Sequence, residues 1–159
     1  MIMQKQIEIL NITRNNILSA INDMSLSELS TIPTGYKNSV IWNVAHVVVT
    51  QQLLCYKLSG LEMYLDNDFI DKYKKGSVGS SELTQEELDF IIEQLIALPT
   101  QLETDFSNNK FKSFAEYPTS YNVTLNSIED AIQFNNVHDG LHFGYIMAMK
   151  KGTLKITGR

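Results

Sequence analysis

In the last long segment of the chain, residues 128–152, apolar residues recur at steps of three and four. This spacing is typical of an amphipathic helix, and the acidic residues at its start and the lysines at its end suit the helix dipole. His138 and His142 lie one turn apart on the apolar face, close enough to bind one metal ion. The predicted core-facing residues are Ala131, Phe134, Asn135, His138, Leu141, His142, Tyr145 and Met149.

The only other histidine, His46, lies in the apolar run 40–49. A buried imidazole there needs an internal partner, because an unpaired buried polar group is costly. Since neutral imidazole is a common metal ligand, we predict a three-histidine metal site formed by His46, His138 and His142. Three protein ligands leave a coordination position open, which is typical of catalytic rather than structural zinc. Zinc, nickel and iron all accept imidazole as a ligand, so the sequence does not decide which metal binds.

Two known metal patterns do not fit. The H-E-x-x-H peptidases have Glu where this chain has Asp139, and no His, Asp or Glu follows His142 to supply a third ligand. A ferritin-like di-iron site needs Glu three residues before each histidine, whereas Asn precedes His46 and His138 at that distance. Neither reading is retained.

Three further helices are predicted. The first spans about residues 3–24, with Arg14 among its polar residues, and the second runs from Asn38 or Ser39 to Lys57 or Leu58 and stops at Gly60. The third opens with a capping box at residues 84–87 and is kinked or interrupted at Pro99. With the last helix they predict an all-α domain, a four-helix bundle with long inter-helix connections.

The connections cover residues 25–38, 61–83 and 107–126. The last is expected to include a short hairpin, and the tail from residue 153 to residue 159 is expected to be extended. Loops 61–83 and 107–126 would form any substrate pocket, but neither carries a recognisable motif. The aromatic residues of the last connection either line that pocket or cover one end of the bundle; they are Phe111, Phe114, Tyr117 and Tyr121.

Composition narrows the class of protein. With 159 residues, of which 43% are hydrophobic, the chain suits a single domain over residues 1–159. The net charge of −5 argues against nucleic-acid binding through phosphate neutralisation. Cys55 is the single cysteine, assigned to core packing, and suits a reducing compartment. No secretory signal or membrane span is found, so we expect a soluble, cytoplasmic protein that acts on a small molecule.

Polar residues one turn from the histidines are candidates to orient them or to contact substrate: Asn43, Thr50, Asn135 and Tyr145. Asp139 follows His138 directly, but projects about 100° away round the helix and is given no catalytic role. The catalytic residue therefore stays unassigned.

The sequence NSVIWNVAH at residues 38–46, followed by His138, His142, Gly144 and Ile146, resembles the DinB/YfiT-like superfamily, especially its small stand-alone bacterial members. The resemblance covers essentially the whole chain. It implies a four-helix bundle whose metal is held by one histidine of the second helix and two of the fourth, and it implies homodimers. Members include S-transferases and isomerases that use low-molecular-weight thiols, and metal-dependent hydrolases, while many have no known activity.

Three functional hypotheses follow. The first is a metal-dependent enzyme, either a thiol-dependent S-transferase or a hydrolase, acting on a small molecule. The second is a non-catalytic binding or stress-response protein on the same scaffold, stabilised by its metal. The third is an interaction module whose histidines bind no metal.

Overall fold

A computed structural model describes residues 2–79 and 82–157, with side chains for residues 3–79 and 82–153. Its helices and strands are α1 (Ile2–Ile21), α2 (Leu26–Ser30), α3 (Val40–Gln51), a π-helical segment (Gln52–Lys57), α4 (Asn67–Tyr73), α5 (Gln85–Ser107), β1 (Tyr117–Pro118), β2 (Thr124–Leu125) and α6 (Ile128–Thr157). Among the described helices, none combines the length and the apolar character needed to cross a membrane.

The four long helices form a bundle, which confirms the predicted all-α architecture. α1 and α3 occupy opposite corners, and each packs against both α5 and α6. Aliphatic side chains fill two clusters between them, one around the first three turns of α3 and one around the π-helical segment. Because α3 and α6 are neighbours, residues on their facing sides can share one site.

Helix α3 is buried along its whole length. Every residue from Val40 to Gln51 is buried, as expected for a helix that is apolar on nearly all sides. Ser39 begins it by accepting a hydrogen bond from the Trp42 backbone N–H (3.2 Å). Sequence periodicity predicted one regular helix here, but the last six residues widen into a π-helix before Gly60, at φ +70°, ends it.

The connections contain more structure than predicted. Residues 25–38 include α2, which begins with a capping box formed by Ser25 and Glu28. Residues 61–83 include α4, capped by Asp66, while Ser80 and Ser81 lie outside the described residues. The hairpin predicted in residues 107–126 is confirmed as the β1–β2 pair. Polar N-caps thus begin short helices in segments whose composition is otherwise typical of loops.

Two helices run further than the sequence indicated. α5 continues through Pro99, which is buried, so of the kink and the interruption predicted there the interruption is wrong. α6 continues to Thr157, so an extended tail is wrong for residues 153–157, while residues 158–159 lie outside the described part. Lys150 binds the Ala20 carbonyl (2.8 Å), holding this end of α6 against α1.

The predicted capping box at the start of α5 forms only in half. Thr84 caps the helix by accepting from the Glu87 backbone N–H (3.2 Å). The Glu87 side chain does not complete the box but accepts hydrogen bonds from Lys72 and from the Tyr73 hydroxyl. The carboxylate therefore ties α4 to α5.

Arg14 overturns the prediction of a polar outer face for its part of α1. Its side chain is fully buried, and its Nε donates to Asp139 Oδ2 on α6 at 2.5 Å. Its Nη2 donates to the Val47 carbonyl on α3 at 2.8 Å. Arg14 therefore joins three helices through charge-assisted hydrogen bonds inside the bundle.

Replacing Arg14 with methionine should lower the free energy of unfolding by about 3–5 kcal/mol, because Asp139 is left as an uncompensated buried charge. Urea denaturation followed by circular dichroism would measure this loss. The control is Lys5→Met on the same helix, since the Lys5–Glu8 pair is exposed and should contribute little. Equal stabilities of the two variants would contradict the role given to Arg14.

Candidate metal centre

The bundle brings all three histidines together. Ring centroids are 5.1 Å apart for His46 and His138, 4.9 Å for His46 and His142, and 4.4 Å for the two histidines of α6. One ring nitrogen from each lies within 4.8 Å of the other two. Within residues 2–79 and 82–157, no other group of three or more His, Cys, Asp or Glu side chains could hold a metal ion. The cluster itself could hold one.

His46 is fixed by a backbone oxygen. Its Nδ1 lies 2.7 Å from the Tyr73 carbonyl at the end of α4. Because a carbonyl only accepts, Nδ1 carries the proton and Nε2 keeps its lone pair. Among the described residues, only the Thr50 hydroxyl lies within hydrogen-bonding distance of that lone pair, at 3.4 Å. The indole of Trp42 stacks on the ring at 4.5 Å between centroids, which restricts its rotation.

His142 is fixed by a side-chain amide. Its Nδ1 lies 2.7 Å from Asn43 Oδ1, and the Asn43 Nδ2 donates to the Ser39 carbonyl at 2.9 Å. The second bond assigns the amide nitrogen, so the oxygen faces His142 and accepts from Nδ1. His142 therefore also presents the lone pair of Nε2. Partners of this kind orient histidine ligands in metal sites.

His138 has a buried nitrogen without a partner. Its Nδ1 makes no hydrogen bond to any described residue and lies 3.9 Å from Asp139 Oδ1, too far for one. An unpaired buried imidazole nitrogen is costly, and a bound ion is one way to offset that cost. Because each of the three imidazoles offers one nitrogen within 4.8 Å of the other two, the cluster fits a divalent transition metal.

Burial keeps two of the histidines neutral. Desolvation lowers the pKa of His46 from 6.5 to about 4, although its hydrogen bond to Tyr73 opposes the shift. Desolvation likewise lowers the pKa of His142 from 6.5 to about 3, and the other two histidines lower it further. Both rings are therefore uncharged at neutral pH, which is the form that binds metals.

The predicted neighbours of the histidines divide into two groups. Asn43 and Thr50 contact them, as described. Asn135 is buried but lies 3.5 Å from Asp139 Oδ1, and the structure gives it no bond to a histidine. Tyr145 is 47% exposed, with its ring centroid 6.2 Å from that of His142. Sequence reasoning missed the Tyr73 carbonyl, because a backbone atom leaves no signature in residue types.

Two cavities reach the cluster, and each is lined by different histidines. The first, of about 320 Å³, includes His46, His138 and Thr50 in its wall. The second, of about 390 Å³, includes His142 and Asn43. The remaining residues of the first cavity are Leu53, Leu54, Lys57, Leu58, Lys75, Tyr117, Thr119, Ser120 and Phe134. The remaining residues of the second are Gly35, Tyr36, Lys37, Asn38, Trp42, Tyr145 and Met149.

Both long connections contribute to the first cavity, as the sequence predicted. Lys75 comes from residues 61–83, while Tyr117, Thr119 and Ser120 come from residues 107–126. The aromatic residues of the second connection divide between the two roles considered for them. Tyr117 lines the cavity, whereas the other aromatic side chains pack on the bundle: Phe111 and Phe114 against the cluster around the π-helical segment, and Tyr121 against Phe134.

Comparison with known families agrees with the geometry. The sequence model of the DinB superfamily matches residues 9–146, a span that contains all three histidines. The chain belongs to the DinB superfamily. The family predicted from the NSVIWNVAH segment and the C-terminal histidines is thus confirmed. Among curated proteins, none matches this DinB-like chain.

The metal-free protein should lose stability as the pH falls below about 6.5. The unfolded chain takes up protons at His46 and His142 near pH 6.5, whereas the folded protein resists protonation until about pH 4 and about pH 3. The stability contributed by the neutral rings is complete above about pH 6.5 and declines toward the folded values, by about 1.4 kcal/mol per pH unit for each histidine.

Urea denaturation of chelator-treated protein between about pH 7 and about pH 5 would measure this slope, above the range in which most carboxylates titrate. A His46→Gln, His142→Gln variant serves as the control and should show a shallower dependence. Identical slopes for the two proteins would contradict the burial of neutral rings.

Proposed function

We propose that this protein is a metal-dependent enzyme that transfers a low-molecular-weight thiol to a small electrophilic molecule. His46, His138 and His142 would together bind one zinc, nickel or iron ion. The proposal rests on two separate cavities, one lined by His46 and His138 and the other by His142. A transfer joins two organic molecules and uses two binding spaces, whereas hydrolysis needs one space and a water.

A bound divalent ion would supply Lewis-acid chemistry that favours the thiolate form of a coordinating thiol. The protein's own residues would orient the imidazoles and the substrate. The Tyr73 carbonyl and Asn43 hold two imidazoles in place, and Glu87 holds Tyr73 through its hydroxyl (2.8 Å). The Thr50 hydroxyl lies in the wall of the first cavity, where it can donate a hydrogen bond to a bound substrate.

The transferred thiol would come from a cosubstrate. Cys55, the single cysteine, is fully buried in the hydrophobic cluster around the π-helical segment. Burial raises the pKa of its thiol to about 12, so it stays protonated and unreactive. A free protein thiol and a thiol cosubstrate both suit a reducing compartment, so we place the protein in the cytoplasm.

The walls of the cavities favour transfer over hydrolysis. Among the described residues that line either cavity, none is Asp or Glu. Asp139, the carboxylate next to His138, is fully buried and paired with Arg14. A hydrolase would therefore have no carboxylate general base facing its substrate.

His142→Ala should abolish thiol transfer while leaving the fold intact, because it removes one of three donors from a partly exposed position. The assay would load the protein with zinc, nickel or iron and combine cysteine or another small thiol with 1-chloro-2,4-dinitrobenzene. We expect a loss of about 100-fold or more, with an unchanged circular dichroism spectrum. Lys151→Ala, an exposed change on the same helix, is the matched control.

Other outcomes would contradict this proposal in distinct ways. Turnover of esters or amides without thiol transfer would identify a hydrolase. If neither reaction occurs and metal removal lowers the melting temperature, the protein is a non-catalytic, metal-stabilised binding or stress-response protein.

We also propose that the protein forms a homodimer through α6. Val137, Leu141 and Tyr145 are 51%, 42% and 47% exposed on this helix. Gly140 and Gly144 leave open space where a second helix could approach closely. Leu141→Glu should convert a dimer into a monomer in light scattering, because it places a charge in an apolar interface. A monomeric wild-type protein would contradict the assignment.

A further inference from the structure

The first cavity changes in character from its floor to its mouth. His46 and Thr50 are buried at its floor, with the half-buried His138 beside them. Lys57 and Lys75 are exposed and form part of its mouth. The rest of the wall is mostly apolar, formed by Leu53, Leu54, Leu58 and Phe134, and Tyr117, Thr119 and Ser120 of the last connection complete it.

The two lysines come from unrelated elements. Lys57 is the last residue of the π-helical segment. Lys75 lies two residues after the end of α4 and just before Gly76, where a φ of +91° turns the chain. In the part of the chain that the structure describes, neither ammonium makes an ion pair, whereas Lys72, Lys74 and Lys110 each pair with a carboxylate. Their charges are thus not neutralised by a neighbouring side chain.

This placement is unusual in an acidic chain. The net charge is −5, with 18 acidic and 13 basic residues. The described lining of the first cavity nevertheless contains two lysines and no carboxylate. Low-dielectric walls strengthen the field of charges at the mouth of a cavity, so this opening attracts anions.

We propose that the small molecule bound in the first cavity is an anion with an apolar body. Its anionic group would bind Lys57 and Lys75, its body would contact the leucines and Phe134, and its reactive group would face the histidines. The inference rests on the proposed function and names a substrate class for the same site. A cavity of about 320 Å³ lies at the small end of ligand pockets and suits one small molecule.

Calorimetric titration of metal-free protein with octanoate and octanamide tests this proposal. The two probes share their apolar chain and differ in charge, and removing the metal prevents the carboxylate from binding an ion instead of the lysines. Octanoate should bind at least about 10-fold more tightly than octanamide. Added salt should weaken the binding of octanoate alone, because it screens the lysines.

The variant for this test is Lys57→Met combined with Lys75→Met, which keeps the apolar stems and removes both charges. It should lose the preference for octanoate and retain its affinity for octanamide. Lys5→Met combined with Lys151→Met, two exposed changes at residues that do not line the cavity, removes the same charge and should leave both affinities unchanged. Equal binding of the two probes by the wild type, or no binding of octanoate, would overturn the proposal.

Two further comparisons separate the possible failures. Octyl phosphate in place of octanoate distinguishes a phosphate site from a carboxylate site, since both anions can bind two ammonium groups. Charge-selective binding without thiol transfer by the metal-loaded protein would refute the proposed reaction and leave the anion site standing. Thiol transfer without charge selectivity would refute the anion site alone.

Discussion

The buried ion pair between Arg14 and Asp139 is the contact on which the rest of the site depends. Arg14 reaches from α1 to Asp139 on α6 and to the Val47 carbonyl on α3. These two partners directly follow His138 and His46 in the sequence. The guanidinium that joins three helices therefore also fixes the axial position of α3 relative to α6. Burying a charge pair adds little stability, so we interpret the pair as a device that fixes helix register.

Within this arrangement of helices, other parts of the chain, including the short helix α4, orient the histidines. Glu87 on α5 accepts a hydrogen bond from the Tyr73 hydroxyl, and the Tyr73 carbonyl accepts one from His46, so the end of the short helix α4 determines how the His46 ring points. Asn43 does the same for His142 from within α3. Glu87 and Asn43 thus help to orient the histidines, while apolar residues supply the cohesion of the bundle.

Much of the fold was predictable because it depends on local signals. Apolar periodicity located the four long helices, and Ser39 and Gly60 marked the ends of the second. The predicted grouping of His46, His138 and His142 rested on the apolar faces of their helices and on the resemblance to the DinB/YfiT-like superfamily, and the structure brings the three side chains together. Arg14 was misplaced because periodicity assigns an isolated polar residue to the surface, and its partner lies 125 residues away. The Tyr73 carbonyl and the continuation of α5 through Pro99 depend on tertiary packing, which residue types do not record.

We propose that His46, His138 and His142 together bind a metal. Elemental analysis of protein purified without an affinity tag, beside its His46→Ala variant, would test this, since a polyhistidine tag would itself bind metal. The wild type should hold about one transition-metal ion per chain, and the variant should lose it. A wild type that holds no metal, even after zinc, nickel or iron is added, would contradict this proposal, as would a variant that retains the full amount.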